Sequence, residues 1–247
     1  RDSSTSRGLG DVYKRQACGL KVAKHGNRSV SSKSGSADLL EFLGYRFPTD
    51  ADGVKVQIKE NGFSFLFAPN FHPAMKNIAP IRQALKIRTV FNILGPLTNP
   101  ARPSFYLLGA FSSEMASLMA SSLSGMDMKR AFIIHGLNGW DEPTPASSFE
   151  LFDVSENSIS HKIIDPSEHG IKKCKEKDLK GGTSEVNAEA LLKVFECKDK
   201  GAHQHGGALA RGVACFGRRR CPHLLVRAQV KYWARTGART HARTHTH

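Results

Sequence analysis

The sequence predicts an α/β domain, and three observations carry that prediction. Short apolar runs bounded by turn residues alternate with segments whose apolar residues recur at helical spacing. The chain has 247 residues, enough for one large domain or two small ones. The two clusters richest in chemistry, at 24–36 and 135–142, each follow a strand-like run, where α/β folds carry their sites.

Taken in order, 19–23 is a short strand-like run leading into KHGNRSVSSKSGSADLLEFLG. The second half of that string is a helix, with Ser36 as cap, Leu39, Leu40 and Leu43 on its apolar face, and Gly44 at its end. Residues 50–60 fit either element: Val54 and Ile58 suit a helix, while KVQIK alternates like a strand. Phe63–Phe67 is a buried strand stopped by Pro69, and 72–85 is a helix kinked at Pro80. ILGPLTNP (93–100) is a turn-rich loop. Phe105–Gly109 is a strand, and 112–123 a helix with Met115, Leu118, Met119 and Ser122 at helical spacing. Strands follow at 131–135, 149–154 and 161–164. Ser184–Phe195 is a capped helix with Glu185 in its first turn and Leu191, Leu192 and Phe195 facing inward.

Composition excludes some classes and misleads about others. At 40% hydrophobic and 23% charged the chain is no polyelectrolyte, and no apolar run approaches the roughly 18 residues of a spanning helix. The net charge of +14 suggests nucleic acid, but its distribution does not. From Gly201 onward there are nine basic residues and no acidic one, and the first 16 residues hold four basic against two acidic, which leaves +3 for 17–205. The ends also lack a foldable pattern. Residues 1–16, with DVYKRQ, read as a disordered leader foreign to the domain, and 206–247, closing in ARTGARTHARTHTH, as a basic low-complexity tail that is disordered or out of frame. The five cysteines form no CxxC pair and read as free thiols.

The loop from Lys24 to Ser36 mixes cations, hydroxyls and glycines ahead of a helix start, a mixture that suits phosphate; a solvated Ser/Lys loop is the other reading. Asp141 and Glu142 follow a strand and a Gly-rich turn, as carboxylates that share Mg²⁺ with substrate phosphates do, or as plain surface charge. His72 and Arg82 together offer a donor and a fork for a carboxylate. No GxSxG, CxxC or HExxH is present, so no covalent or zinc catalysis is advertised.

Together, KHGNRSVSSKSGSADLLEFLG (24–44), FLFAPNFHPAMKNIAPIRQALKIRTVFNILGPLTNP (65–100), IHGLNGWDE (134–142) and GGTSEVNAEALLKVF (181–195) closely resemble the anthranilate phosphoribosyltransferases. The resemblance implies the large α/β domain of the nucleoside phosphorylase/phosphoribosyltransferase-like fold over 17–205. It implies transfer of phosphoribosyl from 5-phosphoribosyl 1-diphosphate to the amine of anthranilate, in tryptophan biosynthesis, with Mg²⁺. Carried over by position, Lys24, His25, Gly26, Asn27, Arg28, Ser29, Val30, Ser31, Ser32 and Ser36 bind phosphoribosyl diphosphate. Asn27, His72 and Arg82 face anthranilate, and Asp141 and Glu142 hold the metal. No residue acts as nucleophile or strong base: positioning and electrostatics carry the reaction.

The family's small N-terminal helical domain, which makes its usual dimer contact, and its GTGGD-type loop are not in the sequence, so the chain is expected to be a truncated, inactive fragment. No membrane or nucleic-acid partner is expected. The family implies a cytoplasmic location, or a plastid one for a plant or alga. A nucleic-acid-binding relative and a pyrimidine nucleoside phosphorylase-like enzyme are the alternatives.

Overall fold

A computed structural model describes residues 21–28, 34–73, 91–195, 198 and 201. The expected leader (1–16), the tail (206–247) and the helical stretch 74–85 lie outside the described residues. Two sheets organise the rest. Strand β1 (Val22–Gly26) pairs in parallel with β2 (Phe63–Phe67), His25 opposite Leu66. The connection between them contains α1 (Ser36–Phe42) and α2 (Ala51–Asn61), as a parallel pair requires. The second sheet has the order β3-β4-β5-β6. There β3 (Phe105–Gly109) and β4 (Arg130–Gly136) run parallel around α5 (Ser113–Ser124). Strands β5 (Phe149–Ser155) and β6 (Ser158–Ile164) complete it as an antiparallel meander. Between the sheets in sequence lie α3 (Ala68–Phe71) and α4 (Phe91–Leu97), and α6 (Ser184–Phe195) follows. The α/β class holds, with an antiparallel extension. No helix among the described residues is long and apolar enough to cross a membrane.

Several boundaries differ from expectation. The first strand runs on to Gly26, so Lys24, His25 and Gly26 are ladder residues and not loop residues. Ser36 does not cap α1; it is the first helical residue, and Gly35 stands at the cap, its N–H donating to Asp38 Oδ2 at 2.6 Å. The ambiguity over 50–60 resolves to helix α2. Asp50 caps it by accepting from the Gly53 N–H at 2.8 Å, and Gly62 ends it at φ +69°, where a Cβ is disfavoured. Much of ILGPLTNP is helical: α4 includes Pro96, and Thr98 closes its last turn by donating from N to the Leu94 carbonyl. His72 follows α3 in non-helical conformation.

Packing defines the buried face of α5. The buried residues of α5 are Ala116, Met119, Ala120 and Leu123, at the i, i+3, i+4, i+7 spacing of one helical stripe. Leu118, though large and apolar, is 50% exposed. A stripe built partly of alanine lets the helix lie close to the sheet, where it meets Ala131, Ile133, Phe152 and Val154. The other face of that sheet buries Phe132, Ile134, Phe149 and Leu151. A separate core joins Phe63 and Phe65 of β2 to Leu39 and Leu40 of α1 and to Ala188 and Leu191 of α6. Leu192 points outward at 46% exposure, contrary to expectation. Tyr45 also ties down β2, its hydroxyl accepting from the Phe65 N–H at 2.9 Å.

The α5 stripe makes a direct prediction. Met119→Ala should destabilise the fold by about 2–5 kcal/mol through transfer and cavity losses, whereas Leu118→Ala should cost less than about 1 kcal/mol. Paired denaturant melts decide between this face and the one expected from large apolar residues alone.

Candidate active site

The site residues sit where strands end. At the C-terminal end of β1, His25 has both ring nitrogens hydrogen-bonded within the protein. Nδ1 lies 3.0 Å from the Gly95 carbonyl oxygen, and Nε2 lies 3.1 Å from Nε2 of His72. The two rings meet edge to face with centroids 4.9 Å apart. Burial holds the His25 imidazole below its ordinary value of 6.5; the Gly95 carbonyl opposes that shift, and the neighbouring His72 adds to it. Asn99 anchors the same segment by donating to the Ala23 carbonyl at 3.0 Å. Of the expected phosphoribosyl diphosphate residues, His25 therefore has no ring nitrogen left for a phosphate. Its neighbour Gly26 sits under Phe65, where a Cβ would lie 3.1 Å from the ring tip.

Beyond the strand, Asn27 Oδ1 accepts from the Arg28 N–H at 2.8 Å. The Arg28 guanidinium is engaged by the protein as well. It donates to both oxygens of Glu41, at 2.7 and 3.0 Å, lies 3.9 Å from Asp38, and covers the Phe67 ring at 5.2 Å. Ser29, Val30, Ser31, Ser32 and Arg82 lie outside the described residues. Ser34, buried where the described chain resumes, meets the Ser184 hydroxyl at 2.9 Å and so links the loop to the start of α6.

The expected carboxylates form a second locus at the end of β4. A tight turn places them: the Gly136 N–H donates to the Trp140 carbonyl at 2.7 Å, and Gly139 takes φ +84°. Asp141 then crosses the end of β3. A Cβ on Gly109 would stand 1.8 Å from the Asp141 carbonyl oxygen, so only glycine permits the approach. Glu142 is 8% exposed. His135 braces the two strand ends through Nδ1 and the Ala110 carbonyl, 2.9 Å apart. Among the described residues no group of three metal-ligating side chains is present. Two adjacent carboxylates, one of them buried, nevertheless fit Mg²⁺, which takes one or two carboxylates and completes its shell from water and substrate phosphate.

Sequence reasoning had missed Gly95, Gly109 and Glu41. Gly95 and Gly109 lay inside strings that looked like ordinary turn and strand ends. Glu41 looked like an exposed helical residue, and only the bidentate spacing to Arg28 gives it a role.

Comparison with known proteins agrees with this architecture. The profile of the glycosyl transferase family, a/b domain, matches residues 15–220, running past the boundary expected at 205. The anthranilate phosphoribosyltransferase of Synechococcus elongatus is 41% identical over 198 residues, covering 80% of this chain and 57% of the relative. That of Idiomarina loihiensis is 42% identical over 191 residues, 77% of this chain and 56% of the relative. The crystal structure of anthranilate phosphoribosyltransferase from Thermus thermophilus superposes with a TM-score of 0.78 at 37% identity, covering 97% of this chain and 71% of that one. The Saccharomyces cerevisiae enzyme in complex with PRPP and Mg shares the fold, with a TM-score of 0.80 at 24% identity. The chain belongs to the anthranilate phosphoribosyltransferase family of glycosyl transferases. It spans about 57% of the length of the curated relatives it matches.

The geometry can be tested at two points. Gly109→Ala should displace the 136–142 turn, speeding hydrogen exchange at the Gly136 amide, whereas Gly125→Ala, whose nearest neighbour would lie at 3.9 Å, should not. Because the folded protein holds His25 below 6.5, the unfolded chain binds more protons once the pH drops below about 6.5. The stabilisation is therefore complete above that pH and is lost as pH falls through the lowered folded value. Melts across this window should show His25→Gln to have a weaker acid dependence than the wild type.

Proposed function

We propose that the enzyme to which this domain belongs transfers a phosphoribosyl group from 5-phosphoribosyl 1-diphosphate to the amine of anthranilate, releasing diphosphate. One observation carries the reading: His25 of the first family-like string meets His72 and Gly95, two distant parts of the second, at a single point. The activity in the names of the relatives supports the same assignment.

The reaction asks little of nucleophiles or strong bases. Diphosphate leaves the anomeric carbon through a cation-like transition state, so rate comes from holding two substrates in line and stabilising the departing charge. Lys24 and the backbone of the loop through Ser32, with Ser36 at the helix start, are assigned to the phosphoribosyl diphosphate. Asn27, His72 and Arg82 are assigned to anthranilate, where the Arg82 fork would grip the ring carboxylate and aim the amine. Asp141 and Glu142 would hold Mg²⁺. That ion, when bound, offsets the negative charge of the leaving diphosphate.

Binding calorimetry tests the assignment on the chain itself. Phosphoribosyl diphosphate should bind in Mg²⁺ and lose affinity with chelator. Lys24→Ala should weaken binding at least tenfold, about 1.4 kcal/mol, while Lys162→Ala on the exposed strand β6 should not. Asp141→Asn with Glu142→Gln should remove the Mg²⁺ dependence. Binding indifferent to Mg²⁺, or none at all, refutes the reading.

A further inference from the structure

We propose that His25 and His72 form a directional proton acceptor, in which His25 is a positioning residue and the proton enters at Nδ1 of His72. The carbonyl oxygen of Gly95 sets the direction. It can only accept, so His25 Nδ1, 3.0 Å away, must carry a hydrogen. A neutral His25 then presents a bare lone pair at Nε2. The 3.1 Å contact there needs a donor, which fixes His72 as the Nε2–H tautomer and leaves its Nδ1 as an acceptor. A proton arriving at His25 Nε2 would set two N–H groups face to face. A proton arriving at His72 Nδ1 leaves every bond in the chain intact. Burial also disfavours charge on His25.

Among the described residues, the elements around the pair add little competing charge. Strand β2 (FSFLF), helix α3 (APNF) and helix α4 (FNILGPL) carry no charged or titratable residue. On β1 the charged neighbour is Lys24, and just past it Arg28 is held by Glu41 and Asp38.

For its substrate the inference rests on the transfer reaction proposed above. The amine lone pair forms the new bond to the anomeric carbon, and the bond from that carbon to the diphosphate oxygen breaks with its electron pair. The proton shed by the product nitrogen passes to His72 Nδ1 and then to water, restoring the neutral pair.

Long-range ¹H–¹⁵N spectra of the labelled full chain test this without requiring turnover. The expected result is His25 as the Nδ1–H tautomer and His72 as Nε2–H. His72 Nε2–H should exchange slowly with water, remain slow in His25→Gln, whose side-chain oxygen can still accept, and exchange at least tenfold faster in His25→Phe. Saturating anthranilate with phosphoribosyl diphosphate should shift His72 Nδ1 and leave His25 Nδ1 in place. The proposal is overturned by His25 in the Nε2–H form, by exchange unchanged in His25→Phe, or by anthranilate shifting His25 Nδ1 instead. Should His25→Phe not fold, the wild-type tautomers and the Gln variant decide. Failure of diphosphate binding with these tautomers intact removes the proposed reaction and not the tautomer chain; wrong tautomers with binding intact remove only the present proposal.

Discussion

The hydrogen bond from His25 to the Gly95 carbonyl orders the end of β1. A half-buried imidazole must satisfy its donor inside the protein, and the backbone oxygen of α4 is what it meets. Two residues back along the strand, Ala23 gives its carbonyl to Asn99 from the same segment. The pair of bonds holds the 95–99 stretch along β1, and the second nitrogen of His25 then fixes where His72 must sit. Three stretches far apart in sequence are thereby brought to one point by polar contacts, each with few alternatives in a site flanked by apolar strand residues.

Much of the fold was legible in the sequence, and the exceptions have physical causes. The strands at 63–67 and 105–109 announced themselves because β-rich apolar runs bounded by Gly and Pro have few other readings. The helical spacing of Met115, Leu118, Met119 and Ser122 marks α5 as a helix without marking its buried stripe, because Ala116 and Ala120 are what allow close contact with the sheet. Strand β1 was cut short because Lys24 and His25 look like loop residues. They are strand residues because their backbone pairs with Phe65 and Leu66 whatever their side chains prefer.

The site divides along the same line. Chemistry-bearing residues could be nominated from their types and strings, but their partners could not. Nothing local distinguishes Glu41 from any exposed helical glutamate, nor Gly109 from any strand-ending glycine, until the third dimension supplies Arg28 and the Asp141 carbonyl. Serine at position 36 looked like a cap because serine is a frequent cap; Gly35 stands there instead, its own N–H taken by Asp38.

Strand geometry then separates two neighbours that the motif presents together. Successive side chains of a strand point to opposite faces, so Lys24 and His25 cannot address one ligand group from the same side. A lysine suits an anion. His25, on which burial disfavours charge and which is bonded through both nitrogens, suits the orientation of another ring far better than the binding of a phosphate. On the proposed reading, the alternation of β1 gives charge stabilisation to one face and proton handling to the other. That division fits a transfer reaction in which diphosphate departs from one side of the anomeric carbon while an amine arrives at the other.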